Sequence, residues 1–193
     1  MAVAFSLLVM AQEKTKQKEV GLSFSNLDEF GITYKVGTQK AMWRFNTLLL
    51  TGGKNTLKYP EQAKVINNNF GFDLMVGREY RTSIDDNFEF RCGFDIVYGY
   101  SSVKREDKTS LDTQDWMTTK NSTSKYGFNF VLGFNYTINH KLVLGAEVLP
   151  GINFQDGEVK KSYNYGNEET TDISGSRYGL KNSSVLLTLA YRF

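Results

Sequence analysis

The sequence predicts an all-β fold, an eight-stranded antiparallel up-and-down β-barrel. Apolar or aromatic residues alternate with small or polar ones through eight stretches of the 193-residue chain, which is the period of β-strands. After the first, the breaks between stretches alternate in length, with 3 residues at 38–40, 15 at 53–67 and 6 at 82–87. No interval shows a helical period, and a meander of eight long strands most simply closes on itself.

The predicted strands follow in order from residue 19. The first, EVGLSFSN (19–26), and the second, FGITYKVG (30–37), are joined by a tight break at 27–29. The others are 41–50, 68–81, 88–103, 125–138, 142–154 and 176–193. Pro150 cannot donate to a ladder, so we expect a bulge or a frayed end in the seventh strand. The polar segments 53–67, 104–124 and 156–175 are predicted loops.

The stretch FEFRCGFDIVYGY (88–100) poses the question of which face lies inside. Its aromatic face would fill a soluble lipocalin-like barrel but would meet lipid in a transmembrane barrel. Most strands exceed the ~9–11 residues that cross hydrocarbon, rings gather at strand ends, and eight strands leave little interior space. We therefore predict a transmembrane barrel with short periplasmic turns and polar extracellular loops. Its lipid-facing and girdle residues are Trp43, Phe45, Phe72, Phe90, Phe94, Tyr98, Tyr100, Tyr126, Phe130, Phe134 and Tyr136.

Charged residues occupy the opposite face of the strands. They are Lys35, Arg44, Arg91 and Arg192 with Asp73, Glu79, Asp95 and Glu147. Because an unpaired charge is costly in a closed interior, we predict that these residues form a connected charge network in the lumen. Arg91 and Asp95 should then be buried and paired, and Phe90 and Phe94 should be exposed. In a soluble barrel the same charges would line the wet outside.

The N-terminal region predicts export. AVAFSLLVMA (2–11) is an apolar run followed directly by polar residues, and Val9 and Ala11 fit the rule for signal-peptide cleavage after Ala11. No Lys or Arg precedes the run, so either the true start lies upstream or the segment is not a signal. We expect residues 1–11 to be a signal peptide, 12–17 a polar segment and 18–193 a single barrel domain.

The last predicted strand ends at the final residue, with Leu187, Leu189, Tyr191 and Phe193 on its apolar face. This pattern resembles the C-terminal assembly signal of bacterial outer-membrane barrels. With the export segment and the meander, residues 18–193 resemble the small outer-membrane β-barrel proteins of Gram-negative bacteria, the OmpA/OmpX-type transmembrane domain. The resemblance implies location in the bacterial outer membrane and contact between the last strand and the barrel-assembly machinery. The chain departs from it in its short first loop at 27–29.

The residues predict no catalytic, cofactor or metal site. The one histidine, His140, lies in a three-residue turn at 139–141 with no Ser or Asp placed for a triad, whereas outer-membrane lipid-modifying enzymes and proteases of this size rely on a catalytic histidine. Asp85-Asp86-Asn87 lacks the length and Gly spacing of a calcium loop. Cys92 is alone, and a net charge of +2 gives no electrostatic reason to expect nucleic acid.

We therefore expect a non-enzymatic, monomeric integral outer-membrane barrel with a side-chain-filled lumen. It would present the loops 53–67, 104–124 and 156–175 outside for adhesion, surface interaction or envelope integrity. Its expected partners are outer-membrane lipid, the assembly machinery and an unidentified extracellular ligand of the loops. The alternatives are a narrow porin-like pore for small solutes, an outer-membrane lipid-modifying enzyme and a soluble lipocalin-like carrier.

Overall fold

The computed structural model describes residues 16–25, 30–59, 64–108, 116–163, 166–180 and 184–193. The predicted signal peptide (1–11) lies outside the described residues, as does 12–15 of the polar segment 12–17. The described chain forms ten strands: β1 (Lys16–Phe24), β2 (Phe30–Thr38), β3 (Ala41–Lys58), β4 (Lys64–Ser83), β5 (Phe88–Lys108), β6 (Trp116–Ile138), β7 (Leu142–Val148), β8 (Gly151–Tyr163), β9 (Glu168–Gly179) and β10 (Val185–Arg192). In these ranges no helix is long and apolar enough to cross a membrane.

Eight of the strands close into a ring. Strands β1 to β7 pair in antiparallel fashion, each with the next along the chain. Strand β10 pairs with β7 on one side and with β1 on the other, and this completes the ring. The predicted all-β antiparallel architecture is confirmed. Closure leaves no free edge in the ring, which protects its aromatic strands from pairing with other chains.

The prediction of long loops at 53–67, 104–124 and 156–175 was wrong. These segments are mostly strand, and the hairpins β3–β4, β5–β6 and β8–β9 continue their ladders well beyond the ring. Polar residues occupy both faces there, so the extensions lack the apolar alternation that identifies a strand in a sequence. Backbone pairing continues through them. We call this end of the ring the hairpin end, and the end with the turns at 38–41, 83–88 and 138–142 the turn end.

The seventh and eighth predicted strands are each divided in two. Strand β7 ends at Val148 and β8 begins at Gly151, so Pro150 falls in the interruption. The Pro150 carbonyl still accepts a hydrogen bond from the Phe130 amide at 2.8 Å, and β6 pairs with β7 and then with β8. A second interruption follows Gly179. As a result β7 and β10 belong to the ring, while β8 and β9 form an extension in which β9 pairs only with β8 among the described strands.

The ring is polar and charged inside and apolar outside. On β6, Phe130 is 60% exposed while the next residue, Val131, is fully buried. On β5, Phe94 is 48% exposed and the adjacent Asp95 is fully buried. This is the reverse of a soluble protein, in which large apolar side chains fill the core and charged ones face water.

Candidate functional site

Among the residues that the structure describes, ten charged side chains meet inside the ring, and we call them the interior charge network. Its cations are Lys35, Arg44, Arg81, Arg91 and Arg192, and its carboxylates are Glu19, Glu79, Glu89, Asp95 and Glu147. Seven of the eight ring strands contribute a charge. The eighth, β6, contributes Asn135, whose amide donates to Glu89 at 3.5 Å.

Glu79 on β4 is the centre of the network. Its Oε2 accepts hydrogen bonds from Lys35 Nζ at 2.8 Å and from Arg44 Nη1 at 3.1 Å. The same oxygen lies 3.3 Å from Arg91 Nη1, and Oε1 accepts from Arg81 Nε at 2.6 Å. One fully buried carboxylate therefore holds four cations from four strands together.

Arg44 links Glu79 to the carboxylates nearer the hairpin end. Its Nη2 donates to Glu147 Oε1 at 2.7 Å, and its Nε lies 3.1 Å from Asp95 Oδ1. The Asp95 contact is an ion pair whose angles do not meet those of a hydrogen bond. Arg91 reaches the second Glu147 oxygen at 3.0 Å. Arg44, Arg91 and Asp95 are all fully buried.

Glu19, at the turn end, joins the first and last ring strands to the rest of the network. Arg81 binds it through two parallel hydrogen bonds of 2.7 and 2.8 Å, the bidentate geometry that makes arginine–carboxylate pairs strong. Arg192 Nε donates to the same carboxylate at 2.8 Å, and Arg192 Nη2 donates to Glu89 at 3.0 Å. These contacts reinforce the β1–β10 seam where the ring closes.

The five cations and five carboxylates give the interior charge network no net formal charge. Desolvation of so many ions is expensive, and their attraction offsets it only when every ion has partners. Removal of any one member would leave a charge buried without compensation. The network therefore depends on the complete ring, and it also fills the ring's cross-section.

Glycines opposite the long charged side chains provide the space for them. A Cβ at Gly77 would lie 2.0 Å from the Phe94 carbonyl oxygen and 2.2 Å from Asp95 Oδ1. A Cβ at Gly145 would lie 2.9 Å from Arg91 Nη2. The glycines on the charged faces of the strands are thus required by close packing inside the ring.

An apolar layer covers the network on its hairpin side. Met75, Val97, Val131, Leu149 and Leu186 form one buried cluster drawn from five parts of the chain. Strands β4, β5 and β10 each carry one residue of this cluster and at least one of the charge network. On each of them the cluster residue lies nearer the hairpin end, as Val97 follows Asp95 on β5. The interior is therefore closed twice, once by paired charges and once by hydrocarbon.

Beyond the apolar layer lies a smaller polar site. Lys125 of β6 forms an ion pair with Asp73 of β4, and both side chains are partly exposed. They border a cavity of about 230 Å³ that is also lined by Thr51, Thr123 and Gln155. This cavity opens toward the hairpin end and does not reach the charge network.

The structure places seven of the eight charges assigned to the lumen in one network, and Asp73 outside it. Glu19, Arg81 and Glu89 were missing from the sequence-based set. Continuing the inward alternation on β4 from Glu79 leads to Arg81, and on β5 back from Arg91 leads to Glu89. On β1, continuing the inward alternation back from Ser23 and Gly21 leads to Glu19.

The predicted lipid-facing residues lie on the outer surface of the ring and its extensions. Trp43, Phe45, Phe94, Tyr98, Tyr126, Phe130, Phe134 and Tyr136 are each more than 40% exposed, and Phe72, Phe90 and Tyr100 are half-buried. The half-buried rings contact neighbouring rings, as Phe90 does Phe134 at 5.4 Å between centroids. Leu187, Leu189, Tyr191 and Phe193 also face outward. His140 is exposed in the turn after β6.

The fold has a counterpart among solved structures. The chain is similar to a major outer membrane protein from Thermus thermophilus, known from a crystal structure, with a TM-score of 0.52 and 14% identity. The similarity covers 93% of this chain and 100% of the other. At this identity it shows a shared fold. No protein-family profile matches the chain, and no curated protein sequence matches it.

Proposed function

We propose that this protein is an integral β-barrel of the bacterial outer membrane, non-enzymatic, with a side-chain-filled lumen and extended hairpins on the cell exterior. It would serve adhesion, surface interaction or envelope integrity through those hairpins. The observation that carries the proposal is the inverted distribution of residues, with ten paired charges inside a closed ring and aromatic residues outside it.

The height of the outward aromatic surface of the ring, which we call the aromatic band, supports membrane insertion. From Phe90 to Tyr100 on β5 the outward positions are apolar or aromatic without interruption. Ten residue intervals at ~3.3 Å and a tilt of about 40° span roughly 25 Å along the barrel axis. That is about the height of the apolar band of outer-membrane barrels. A closed ring also satisfies the backbone hydrogen bonds that lipid cannot.

The filled interior favours a closed barrel over a pore. Arg44, Arg91, Glu79 and Asp95 are fully buried, and so are Val131 and Leu186 in the apolar layer. An ion crossing the ring would have to displace paired charges and then pass through hydrocarbon. Both steps require breaking interactions that are costly to lose in a dry interior.

The extended hairpins are the parts available to an external partner. Their strands continue beyond the aromatic band and present polar residues on both faces. A rigid scaffold that carries a variable exposed surface is a common arrangement for binding proteins. The resemblance of the sequence to small outer-membrane barrels supports this orientation, and the shared fold with an outer membrane protein supports the barrel itself.

Two measurements on the purified chain test the proposal. Folded protein in detergent should migrate differently on SDS gels before and after boiling, because a closed barrel resists SDS until it is heated. Reconstituted in planar bilayers, it should show no steady conductance. Purification from the periplasm as a soluble protein would refute membrane insertion, and regular single-channel steps would refute the filled lumen and favour the narrow pore.

A further inference from the structure

Four lysines form a straight row across the outer surface of the extended hairpins. They are Lys54 of β3, Lys104 of β5, Lys120 of β6 and Lys160 of β8, all exposed. Lys104 lies directly opposite Lys120, and Lys120 lies directly opposite Lys160. Asn68 of β4 stands between Lys54 and Lys104. We call these four residues the lysine row.

The lysine row is on the same face as the aromatic band. Directly opposed residues of antiparallel strands share a face, and every second residue of a strand returns to it. On β5, Lys104 lies an even number of residues from Tyr98 and Tyr100, and on β8 Lys160 is related in the same way to Phe154. The row therefore continues the outer surface of the ring beyond its aromatic residues.

Like charges directly opposite each other destabilise a sheet, so the row needs an explanation. Lys104 pairs with Glu106 at 2.8 Å and Lys160 with Glu158 at 3.2 Å, but exposed pairs of this kind contribute little. Over the outer face of the extended parts of β3 to β6 the described charges are six lysines and one carboxylate, Glu106. Those lysines are Lys54, Lys58, Lys64, Lys104, Lys108 and Lys120. The outer face of β8 and β9 adds Lys160 and four carboxylates, which are Asp156, Glu158, Glu168 and Asp172. The surface of β3 to β6 would therefore attract a polyanion.

The position of the row indicates what kind of anion. Lys54 is level with Asn68, which lies two residues beyond Phe70, while Lys104 lies four beyond Tyr100 and Lys160 six beyond Phe154. With a rise of ~3.3 Å and a tilt of about 40°, the row runs from roughly 5 to 15 Å outside the aromatic band. The head-group layer of a phospholipid bilayer is only about 5–8 Å thick on each side. The far end of the row therefore matches a larger, phosphorylated saccharide head group.

We propose that the lysine row binds the phosphate groups of an anionic glycolipid in the outer leaflet, an inference that rests on the proposed membrane orientation. Lysine ammonium groups bind phosphate as point charges. A cavity of about 470 Å³ adjoins the row on its far side and is lined by Lys104, Lys108 and Trp116, together with Glu106, Thr118, Ser162 and Glu168. An indole and hydroxyl groups suit a sugar, and the two ammonium groups, which share Glu106 at 2.8 and 3.9 Å, suit the phosphate that the sugar carries.

The chain offers a closely matched pair of variants to test this. Lys104→Gln/Lys160→Gln removes two charges from the row. Arg105→Gln/Lys161→Gln removes two exposed charges from the adjacent positions of the same strands, on the opposite face. Each protein is folded in octyl glucoside and mixed with equal amounts of lipid A, a bisphosphorylated acylated disaccharide, and its dephosphorylated form. Native mass spectrometry then counts the bound lipids.

Wild type and Arg105→Gln/Lys161→Gln should retain lipid A over its dephosphorylated form. In Lys104→Gln/Lys160→Gln the preference for lipid A over its dephosphorylated form should fall about fivefold for each lysine removed. Adding Lys54→Gln and Lys120→Gln should abolish the preference. An equal loss of this preference in the two double variants would overturn the proposal. So would retention of phosphatidylglycerol equal to that of lipid A, or complete displacement of lipid A by inorganic phosphate. Heat-modifiable migration is scored on each sample, so a wild type that folds as a barrel but ignores phosphate refutes this inference alone.

Discussion

Substitution of Glu79 by Gln tests the interior charge network at its centre. The change keeps the size of the side chain and removes one negative charge, so the network goes from five carboxylates to four while its five cations remain. The amide keeps one acceptor oxygen and puts an NH2 group in place of the other, so either Arg81 at Oε1 or the three cations at Oε2, which are Lys35, Arg44 and Arg91, face a donor. Removing one partner of a buried ion pair destabilises the folded protein by about 3–5 kcal/mol. We expect a loss of this size in the free energy of unfolding.

The assay is urea unfolding of the protein folded in lipid vesicles, followed by the band shift on unboiled SDS gels. Glu158→Gln is the control, because its partner Lys160 lies at 3.2 Å on the exposed surface, and it should change stability by less than about 1 kcal/mol. Lys35→Met combined with Glu79→Gln restores a neutral network and should recover part of the loss. If Glu79→Gln and the control are equally stable, or the second change gives no recovery, the network does not stabilise the ring as argued.

Three further substitutions probe the packing of the ring. Phe130→Arg places a charge on the 60% exposed outer position and should destabilise the inserted protein by about 2–4 kcal/mol in vesicles. Unchanged stability would indicate that this face lies in water. Leu186→Ala should lower unfolding free energy by about 2–5 kcal/mol yet leave planar bilayers silent, because the charge network still closes the lumen; new conductance would contradict a double closure. Gly77→Ala should destabilise by about 1–3 kcal/mol through contact with the Phe94 carbonyl, whereas Gly52→Ala, with no atom closer than 3.9 Å, should not.

Alternation was a sufficient guide to structure wherever one face of a strand is apolar. It located the ring strands and separated Arg91 and Asp95 from Phe90 and Phe94, because each residue step along a strand reverses the direction of the side chain. On β1 the same alternation places Glu19 on the inward face with Gly21 and Ser23. Its partners Arg81 and Arg192, which lie far away along the chain, became visible only with the strand pairing.

The hairpin extensions could not be predicted from hydrophobic pattern. Residues such as Lys104, Arg105 and Glu106 are charged on both faces of β5, so nothing in their order distinguishes a strand from a loop. A second limit is that the sequence does not show which inward charges pair with each other. Asp73 lies inward like Asp95, yet it pairs with Lys125 beyond the apolar layer, and that depends on strand stagger, which only the three-dimensional register determines.

The central claim is that the aromatic face of the ring meets lipid. It is tested most directly by Phe130→Trp in a background with Trp43→Phe and Trp116→Phe, which leaves a single indole at the outer surface of β6. The protein is folded into vesicles whose acyl chains carry bromine, and tryptophan fluorescence is compared with that in unbrominated vesicles. Strong quenching by bromine together with resistance to the aqueous quencher iodide is the predicted result. Quenching by iodide and none by bromine would contradict the account.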